Sequence, residues 1–222
     1  MRAVEQGFLQ QPLSAVFANP ANVRVLRELF RNGGENSARM LAERSKLTKP
    51  SVLASLTFLE TLGFVEALGA ARLRLYRIDG KHPLAPALSA LFVAENYRFS
   101  EIIDGLRRAA VEAGATAAWL YGSVARGEDR PNSDIDIALV ASADAGDMDA
   151  GRLKERVRES LRSQEDALRF SASVVGFTAD HIARLAAEKD PWWTTMCRDA
   201  VPLVGPPPDL FVARLLAVPG TV

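Results

Sequence analysis

Apolar residues recur every three or four positions in the first part of the chain, which is the spacing of helices that bury one face. The pattern predicts three short helices: over residues 22–31, over residues 37–45, and from Thr48 to about Gly63. Thr48 is a suitable N-cap for the third helix, and Pro50 fits its first turn. The first part of the chain is therefore expected to be a small helical domain.

Alternating apolar and charged residues follow the third helix, a pattern typical of β-strands. In residues 64–79, leucines alternate with Arg72, Arg74 and Arg77. This segment is predicted to form a hairpin with an arginine-rich face. A longer helical pattern then starts near Pro83.

Two apolar runs in the second part of the chain are predicted to be buried strands, over residues 115–122 and 134–140. Because successive side chains of a strand alternate between faces, Asp134 and Asp136 are expected to point the same way, ~7 Å apart. Two like charges on a largely apolar strand are costly unless a cation neutralises them. Magnesium prefers oxygen ligands and also binds phosphates, so the pair predicts a magnesium site.

The Gly122-Ser123 pair between the two strands supplies the complementary half of a site. Glycine lets the backbone approach a ligand closely, and Ser123 offers a hydroxyl group and an amide. A helix that begins here would direct free N–H groups and its positive dipole end at a phosphate. Arg126 and Arg130 are nearby cations able to meet phosphate oxygens. Together with the paired carboxylates, these groups predict a site for a nucleoside triphosphate.

Length and composition narrow the class of protein. A chain of 222 residues allows one or two domains, and 48% apolar with 24% charged residues is typical of a soluble globular protein. No apolar run approaches the ~20 residues of a membrane span. The single cysteine, Cys197, excludes an intrachain disulfide and a multi-cysteine zinc site. We therefore expect a cytoplasmic protein without a membrane partner.

The formal net charge is zero, but the charges are unevenly distributed along the chain. Residues 1–82 carry twelve Lys/Arg and seven Asp/Glu, a balance of +5, whereas the remainder carries fifteen and twenty, a balance of −5. A basic front half on a neutral chain points to a nucleic-acid partner for that half.

Three short helices followed by a basic hairpin resemble the winged helix-turn-helix of bacterial and archaeal transcription regulators. The segment LTKPSVLASLTFLETLGFVE looks like the recognition helix and first wing strand of the arsenical-repressor and multiple-antibiotic-resistance-regulator type. The resemblance implies binding to double-stranded DNA through the major groove. It implies DNA contacts from Lys49, Ser51 and Ser55, expected on the outer sides of the third helix, and from Arg72 and Arg74 on the wing. A winged helix that mediates only protein contacts is the alternative.

The helical pattern that starts near Pro83 carries an apolar stripe. Its members are Leu84, Leu88, Leu91 and Phe92. A stripe that neither domain core uses would suit a homodimer, because dimeric DNA readers match two half-sites. Packing of this helix between the domains explains the stripe equally well.

The segment GSVARG followed by SDID resembles the nucleotidyltransferase superfamily that includes DNA polymerase beta, kanamycin nucleotidyltransferase and the minimal nucleotidyltransferases of prokaryotes. The similarity extends over about residues 100–205, and the residues that match the motif pair are Gly122, Ser123, Arg126, Gly127, Ser133, Asp134 and Asp136. The nucleotide-binding residues that it implies are Gly122, Ser123, Arg126 and Ser133. The catalytic residues that it implies, which also hold Mg²⁺, are Asp134 and Asp136.

Active members of this superfamily usually carry a third acidic residue on a neighbouring strand, which binds metal and often helps to deprotonate the attacking hydroxyl. Alignment of the next predicted strand, LRFSASVVGF, places Ser173 at that position. Glu165 or Asp166 could instead reach in from the preceding turn. Without a third carboxylate, turnover should fall severely, while binding of a metal–nucleotide survives on Asp134, Asp136 and the Gly-Ser turn.

The predicted fold class is α+β, with an N-terminal winged helix-turn-helix and a C-terminal nucleotidyltransferase-type mixed β-sheet with helices. The predicted domains are residues 15–82, a connecting helical segment at 83–110, and residues 111–222. Two functions fit these residues. The first is a DNA-binding protein that binds a magnesium–nucleoside triphosphate and transfers the nucleoside monophosphate to a hydroxyl of a protein or small molecule. The second is a transcription regulator that senses nucleotide without turning it over.

Overall fold

The computed structural model describes residues 10–69, 74–142 and 147–217. The chain divides into two compact units, Met1–Tyr97 and Arg98–Val222. The boundary between the units falls inside the segment that was predicted to connect two domains. In these three ranges, no helix combines the length and apolar character needed to cross a membrane.

The first unit consists of helices and a small antiparallel sheet. Asn19, Ser37 and Thr48 begin helices as N-caps, because each side chain accepts a backbone N–H two or three residues further on. The three helices and the hairpin predicted from the sequence are present. The elements are α1 (Pro12–Phe17), α2 (Pro20–Asn32), β1 (Asn36–Ser37), α3 (Ala38–Ser45), α4 (Lys49–Thr61), β2 (Val65–Leu68), β3 (Leu75–Ile78) and the start of α5 (Ala85–Ala113).

The sheet of this unit has the strand order β1-β3-β2, and both pairings are antiparallel. Val65 pairs with Ile78, and Leu68 pairs with Leu75, so β2 and β3 form the expected hairpin. Arg72, for which a DNA contact was predicted, lies outside the described residues. The core under the sheet joins residues of α2, α3 and α4 to Phe64 and Tyr76.

Ser55 does not face outward, and the expectation that it does is wrong. Its exposed fraction is only 2%, and it lies on the buried side of α4. The cause is helical phase: Ser55 is three residues after Val52 and four before Leu59, so all three share one face. No partner for the Ser55 hydroxyl is found in the described part of the chain. Ser55 is a core residue that cannot reach a base edge.

The second unit is built on a four-stranded sheet of order β6-β5-β4-β7. Strands β4 and β5 are antiparallel, β5 and β6 are parallel, and β7 pairs antiparallel with β4. The sheet is therefore mixed, as predicted. After α5 the elements are β4 (Ala117–Tyr121), α6 (Gly122–Arg126), β5 (Ile135–Val140), α7 (Asp147–Leu168), β6 (Ala172–Phe177), α8 (Ala179–Ala187), α9 (Pro191–Asp199), β7 (Val201–Val204) and α10 (Pro208–Ala217).

The two faces of this sheet are buried by different helices. Odd-numbered residues of β5, such as Ile137, pack with apolar residues of α5 and α7. Even-numbered residues, such as Ala138 and Val140, pack with residues of α8, α9 and α10. Because side chains alternate along a strand, Asp136 belongs to the second face, where the covering helices leave it only partly buried.

Candidate functional site

The Gly122-Ser123 turn lies directly against one of the two predicted aspartates. Strand β4 ends at Tyr121, which is the pairing partner of Asp136, and α6 begins at Gly122. Gly122 has a φ of +76°, and a Cβ built on it would lie 3.1 Å from Cγ of Asp136 and closer still to Oδ2. Only glycine fits this conformation and this approach. The backbone of the turn and the Asp136 carboxylate therefore form one continuous surface.

Asp134 and Asp136 carry interacting charges at the start of β5. Asp134 is exposed and Asp136 is partly buried. Burial raises the pKa of the Asp136 carboxyl, and the negative charge of Asp134 raises it further. The Ser173 hydroxyl and the positive charge of Arg126 act in the opposite direction on this pKa. A cation bound here would relieve both the like-charge repulsion and the cost of burial, so the pair fits a hard divalent ion.

Ser173 occupies the neighbouring position on β6. In the parallel pairing of β5 with β6, Ser173 is the direct partner of Asp136, as the sequence alignment predicted. Paired residues of neighbouring strands leave the sheet on the same face, so the Ser173 hydroxyl lies on the Asp136 side and acts to lower the pKa of that carboxyl. Across the described ranges, no group of three or more His, Cys, Asp or Glu residues is placed to hold a metal ion. The site therefore brings together two carboxylates and a hydroxyl.

Glu165 and Asp166 do not supply the third carboxylate. Both belong to α7, the helix that covers the opposite face of the sheet from Asp136. The Glu165 carboxylate accepts the backbone N–H of Ala172 at 2.7 Å, which fixes it at the start of β6. Asp166 is exposed on the same helix. In the free chain, both are placed away from the Asp136 side of the sheet.

The other predicted nucleotide-binding side chains have partners within the loop after the turn or in α9. The Arg126 guanidinium donates to Glu128 at 2.8 Å and lies 3.8 Å from Asp199. The Ser133 hydroxyl accepts the backbone N–H of Arg130 at 2.9 Å, and this bond closes the turn before β5. These two residues border the site, but a ligand would have to compete with Glu128 and Asp199 for the Arg126 guanidinium.

Two residues at this site were missed in the sequence. Tyr121 is placed beside Asp136 by strand pairing, and both burial and the Asp136 charge raise the pKa of its phenol. Its ring packs edge-on against Trp192, with centroids 5.7 Å apart. Asp199 approaches Arg126 from the end of α9. Strand alternation could have indicated Tyr121, but no local signal connects Asp199 to a segment so distant in sequence.

The predicted DNA-contacting residues of the first unit differ in their exposure and in their hydrogen-bond partners. Lys49 is exposed at the first residue of α4, and Ser51 is partly buried, with its backbone N–H bonded to the Thr48 hydroxyl at 3.4 Å. Arg74 donates to both carboxylate oxygens of Glu60, at 2.8 and 2.9 Å. This ion pair joins the residue before β3 to the end of α4, so part of the hydrogen-bonding capacity of Arg74 is used within the unit.

Comparison with known proteins identifies the region that contains this site. Residues 108–184 match the family described as "Polymerase beta, Nucleotidyltransferase". The matched segment includes the Gly122-Ser123 turn, both aspartates and Ser173. The second unit therefore contains a nucleotidyltransferase-type domain. No curated protein shows significant sequence similarity to the chain.

Solved structures that partly resemble this chain, at low sequence identity, include two toxin–antitoxin proteins and one further protein. A toxin–antitoxin crystallised with AMP-PNP is 18% identical, with 50% of this chain and 84% of that chain covered and a TM-score of 0.31. A mutant of the toxin–antitoxin MntA-HpeT is 20% identical, covering 53% and 83%, with a TM-score of 0.33. NadR in complex with 4-hydroxyphenylacetate is 20% identical, covering 46% and 84%, with a TM-score of 0.31.

Proposed function

We propose that this chain is a DNA-binding regulator whose nucleotidyltransferase-type domain binds a magnesium–nucleoside triphosphate as a signal. The observation that carries the nucleotide part is the packing of Gly122 against the Asp136 carboxylate. This packing puts backbone N–H groups able to meet phosphate beside a carboxylate able to hold a cation. A triphosphate with its magnesium ion needs both kinds of group at once.

The two aspartates are the residues that would hold magnesium. Bound there, the ion would neutralise triphosphate charge and stabilise departing pyrophosphate. Gly122 and Ser123 bind and orient the phosphates through their backbone amides, and Arg126 adds a positive charge once it leaves Glu128. Tyr121 and Trp192 border the site as an apolar wall that limits access of water.

Ser173 favours signalling over repeated catalysis. A carboxylate at its position would accept the proton of an attacking hydroxyl, whereas a serine hydroxyl is a poor base at neutral pH. Transfer to an outside acceptor is the second candidate function, and the retained Asp134, Asp136 and Gly122 geometry favours it. The two candidates share nucleotide binding and differ in turnover.

Binding and turnover are separated by one experiment. The purified protein is incubated with Mg²⁺ and each labelled nucleoside triphosphate, and both bound nucleotide and released pyrophosphate are measured. We expect saturable binding that Asp134→Ala and Asp136→Ala each weaken by at least about tenfold, since each removes a charged ligand worth more than ~1.4 kcal/mol. Asp166→Ala, which removes an exposed carboxylate from α7, serves as the matched control. Binding that survives both aspartate substitutions would overturn the proposed site.

Gly122→Ala is expected to weaken binding of the magnesium–nucleotide by about tenfold. The new Cβ would overlap the Asp136 carboxylate and displace it, and the positive φ adds backbone strain of roughly 1–2 kcal/mol. Gly114→Ala is the matched control, because Gly114 also has a positive φ, +87°, but nothing lies within 4 Å of its added Cβ. Titration with labelled nucleotide measures both variants. Equal binding losses would show that strain alone, without displacement of Asp136, is responsible.

The DNA-binding part of the proposal is supported by the charge and the exposed start of α4. The first 82 residues have a balance of +5, and Lys49 is exposed at the first residue of the helix that the sequence predicts to enter the major groove. Three helices and a hairpin follow one another in the order expected of a winged helix-turn-helix. With Ser55 buried, the DNA contacts that remain in the proposal are Lys49 and Ser51 on α4 together with Arg72 and Arg74 of the hairpin.

Lys49→Ala is expected to weaken binding to DNA from upstream of the protein's own gene. If Lys49 contacts a phosphate, the slope of log K against log salt should become shallower by about 1. Mobility shifts at a series of salt concentrations measure this slope. Lys81→Ala, which removes an exposed charge from the turn after β3, is the control. The same change in slope for both variants would contradict a contact specific to α4.

A further inference from the structure

Strand β6 lies at the edge of the four-stranded sheet. Among the strands that the structure describes it pairs only with β5, and it stands at the end of the order β6-β5-β4-β7. Its burial agrees with this place, because five of the six residues of β5 are buried, whereas five of the six residues of β6 are only partly buried. The outer side of β6 is therefore an unpaired edge to which a further strand can be added.

The hydrogen bonds of β6 show which of its backbone groups point away from β5. Ile135 donates its N–H to the Ser171 carbonyl at 2.8 Å, and Ala141 donates its N–H to the Phe177 carbonyl at 2.9 Å. Odd-numbered positions therefore direct their backbone groups at β5, and even-numbered positions direct theirs at the outer edge. The even-numbered residues of β6 are Ala172, Val174 and Gly176.

One of these outward N–H groups already bonds to a side chain. The Glu165 carboxylate of α7 accepts the Ala172 N–H at 2.7 Å, in the place that a neighbouring strand would take. Within the described ranges, no hydrogen bond joins the outward N–H of Val174 or of Gly176 to another group. Because backbone N–H groups are strong donors, these two need either water or a partner strand.

A row of basic side chains on α7 runs beside this edge. Lys154, Arg158 and Arg162 are spaced four residues apart, so they share one side of the helix. The Lys154 Cβ lies 3.5 Å from a Cβ built on Gly176. Arg158 and Arg162 line a cavity of about 100 Å³ together with Val174. The basic row therefore follows β6 from its end towards its start.

The basic row is not neutralised within the unit. Arg162 is exposed, and its guanidinium makes no ion pair or hydrogen bond with any other residue that the structure describes. Arg158 lies 3.7 Å from Glu155, but both side chains are more than half exposed, and such a pair contributes little. The row is therefore free to attract a partner of negative charge.

The spacing of the basic row matches that of an extended chain. Four residues of a helix advance about 6 Å, and two residues of a strand advance about 7 Å. A strand added to the edge of β6 would therefore present every second side chain to successive members of the row. Acidic side chains at those alternate positions would meet Lys154, Arg158 and Arg162.

We infer that the outer edge of β6 is a docking site for an extended segment of a partner protein that carries aspartate or glutamate at alternate positions. Backbone bonds to Val174 and Gly176 hold the segment, and the basic row selects its charge. Nucleic acid matches the charge but has no row of N–H and C=O groups to pair with a strand. Because α7 covers the face of the sheet opposite Asp136, this surface is distinct from the proposed nucleotide site.

The test is fluorescence anisotropy with the full chain and a short labelled peptide in which glutamate alternates with threonine. We expect saturable binding that weakens as salt rises, because the basic row is exposed. Arg158→Glu combined with Arg162→Glu should weaken binding by about tenfold or more, since each change replaces an attraction with a repulsion. Arg152→Glu combined with Arg156→Glu makes the same change in charge on the side of α7 that faces α5, and should bind like the natural chain.

Two further measurements separate strand pairing from simple attraction between charges. The same peptide with methylated backbone amides keeps its charge but cannot donate to the edge, and it should bind about tenfold more weakly or worse. Amide hydrogen exchange at Val174 and Gly176 should slow when the unmethylated peptide binds. Exchange at Ser173 and Val175 should not change, because their N–H groups already face β5.

Several results would overturn this docking site. They are absence of peptide binding by the natural chain, equal binding of the methylated peptide, and equal losses in the two double variants. A single-stranded oligonucleotide that binds more tightly than the peptide, and is lost in the variant of Arg158 and Arg162, would instead make the row a nucleic-acid contact. Binding of magnesium–nucleotide by that variant should equal that of the natural chain, which also shows that the variant is folded.

Discussion

Ser173→Asp is expected to raise transfer of nucleoside monophosphate to water and to outside hydroxyls by about 100-fold or more. The new carboxylate would stand beside Asp136 on the neighbouring strand, since Ser173 is the direct pairing partner of that residue. A positioned general base contributes about 10²–10⁴-fold to a proton-transfer step. A third oxygen ligand for magnesium would add to the effect. The measurement is steady-state pyrophosphate release with water and with a panel of small alcohols as acceptors.

The same substitution should make the free domain less stable. A third negative charge beside Asp134 and Asp136 increases the repulsion that already raises the pKa of Asp136. Without magnesium, the melting temperature of Ser173→Asp should therefore fall below that of the natural chain. Added Mg²⁺ should restore it, because a ligand that binds only the folded state stabilises that state. This recovery reports on the metal site independently of turnover.

Ser173→Asn is the matched control for the gain of transfer. Asparagine has nearly the shape of aspartate but neither the charge nor the ability to take a proton. If both variants bind nucleotide and release pyrophosphate at the same rate, the position is not the one that a catalytic base needs. If only Ser173→Asp gains turnover, the serine is what keeps the natural chain from repeated transfer to outside acceptors.

Much of the site could be predicted because its parts are close together in sequence. Strand alternation predicted that Asp134 and Asp136 share a side, and the charge of Asp134 does act on Asp136, although Asp134 itself precedes β5. The turn between two adjacent antiparallel strands brings Gly122 against Asp136. Predicting the position of Ser173 required alignment of a strand more distant in sequence. The apolar residues of that strand and its exit into the next helix were sufficient for the alignment. These are local patterns joined by one strand pairing each.

The residues that were predicted wrongly or missed are positioned by helical phase or by packing between segments that are distant in sequence. Ser55 is polar, and its type suggested exposure, but its position one turn from Val52 and Leu59 decides its burial. Asp199 reaches Arg126 only because β7 pairs with β4 at the far edge of the sheet. A contact of that kind depends on the assembled sheet, and no spacing along the chain indicates it.

Trp119→Ala is expected to lower the free energy of unfolding of the second unit by about 3–5 kcal/mol, which is typical of truncating a buried tryptophan. Trp119 is fully buried on β4, and its ring packs edge-on against Trp193 and Phe211, with centroids 5.9 and 5.5 Å away. Its indole N–H donates to the Pro206 carbonyl at 2.9 Å. The residue thus holds α9, α10 and the segment between β7 and α10 on the face that carries Asp136. Urea unfolding followed by far-ultraviolet circular dichroism measures the loss.

Trp119→Phe separates the two contributions of this side chain. Phenylalanine keeps an aromatic ring for Trp193 and Phe211 but leaves the Pro206 carbonyl without its donor, at a cost of about 1–3 kcal/mol. Because nucleotide binding requires a folded second unit, both variants should lose it at lower urea concentrations than the natural chain, in the same order as their stabilities. The transition of the first unit should keep its midpoint in both variants, since the core of that unit does not contain Trp119. A change below about 1 kcal/mol in Trp119→Ala would contradict the role of Trp119 as the residue that fastens the C-terminal helices to β4.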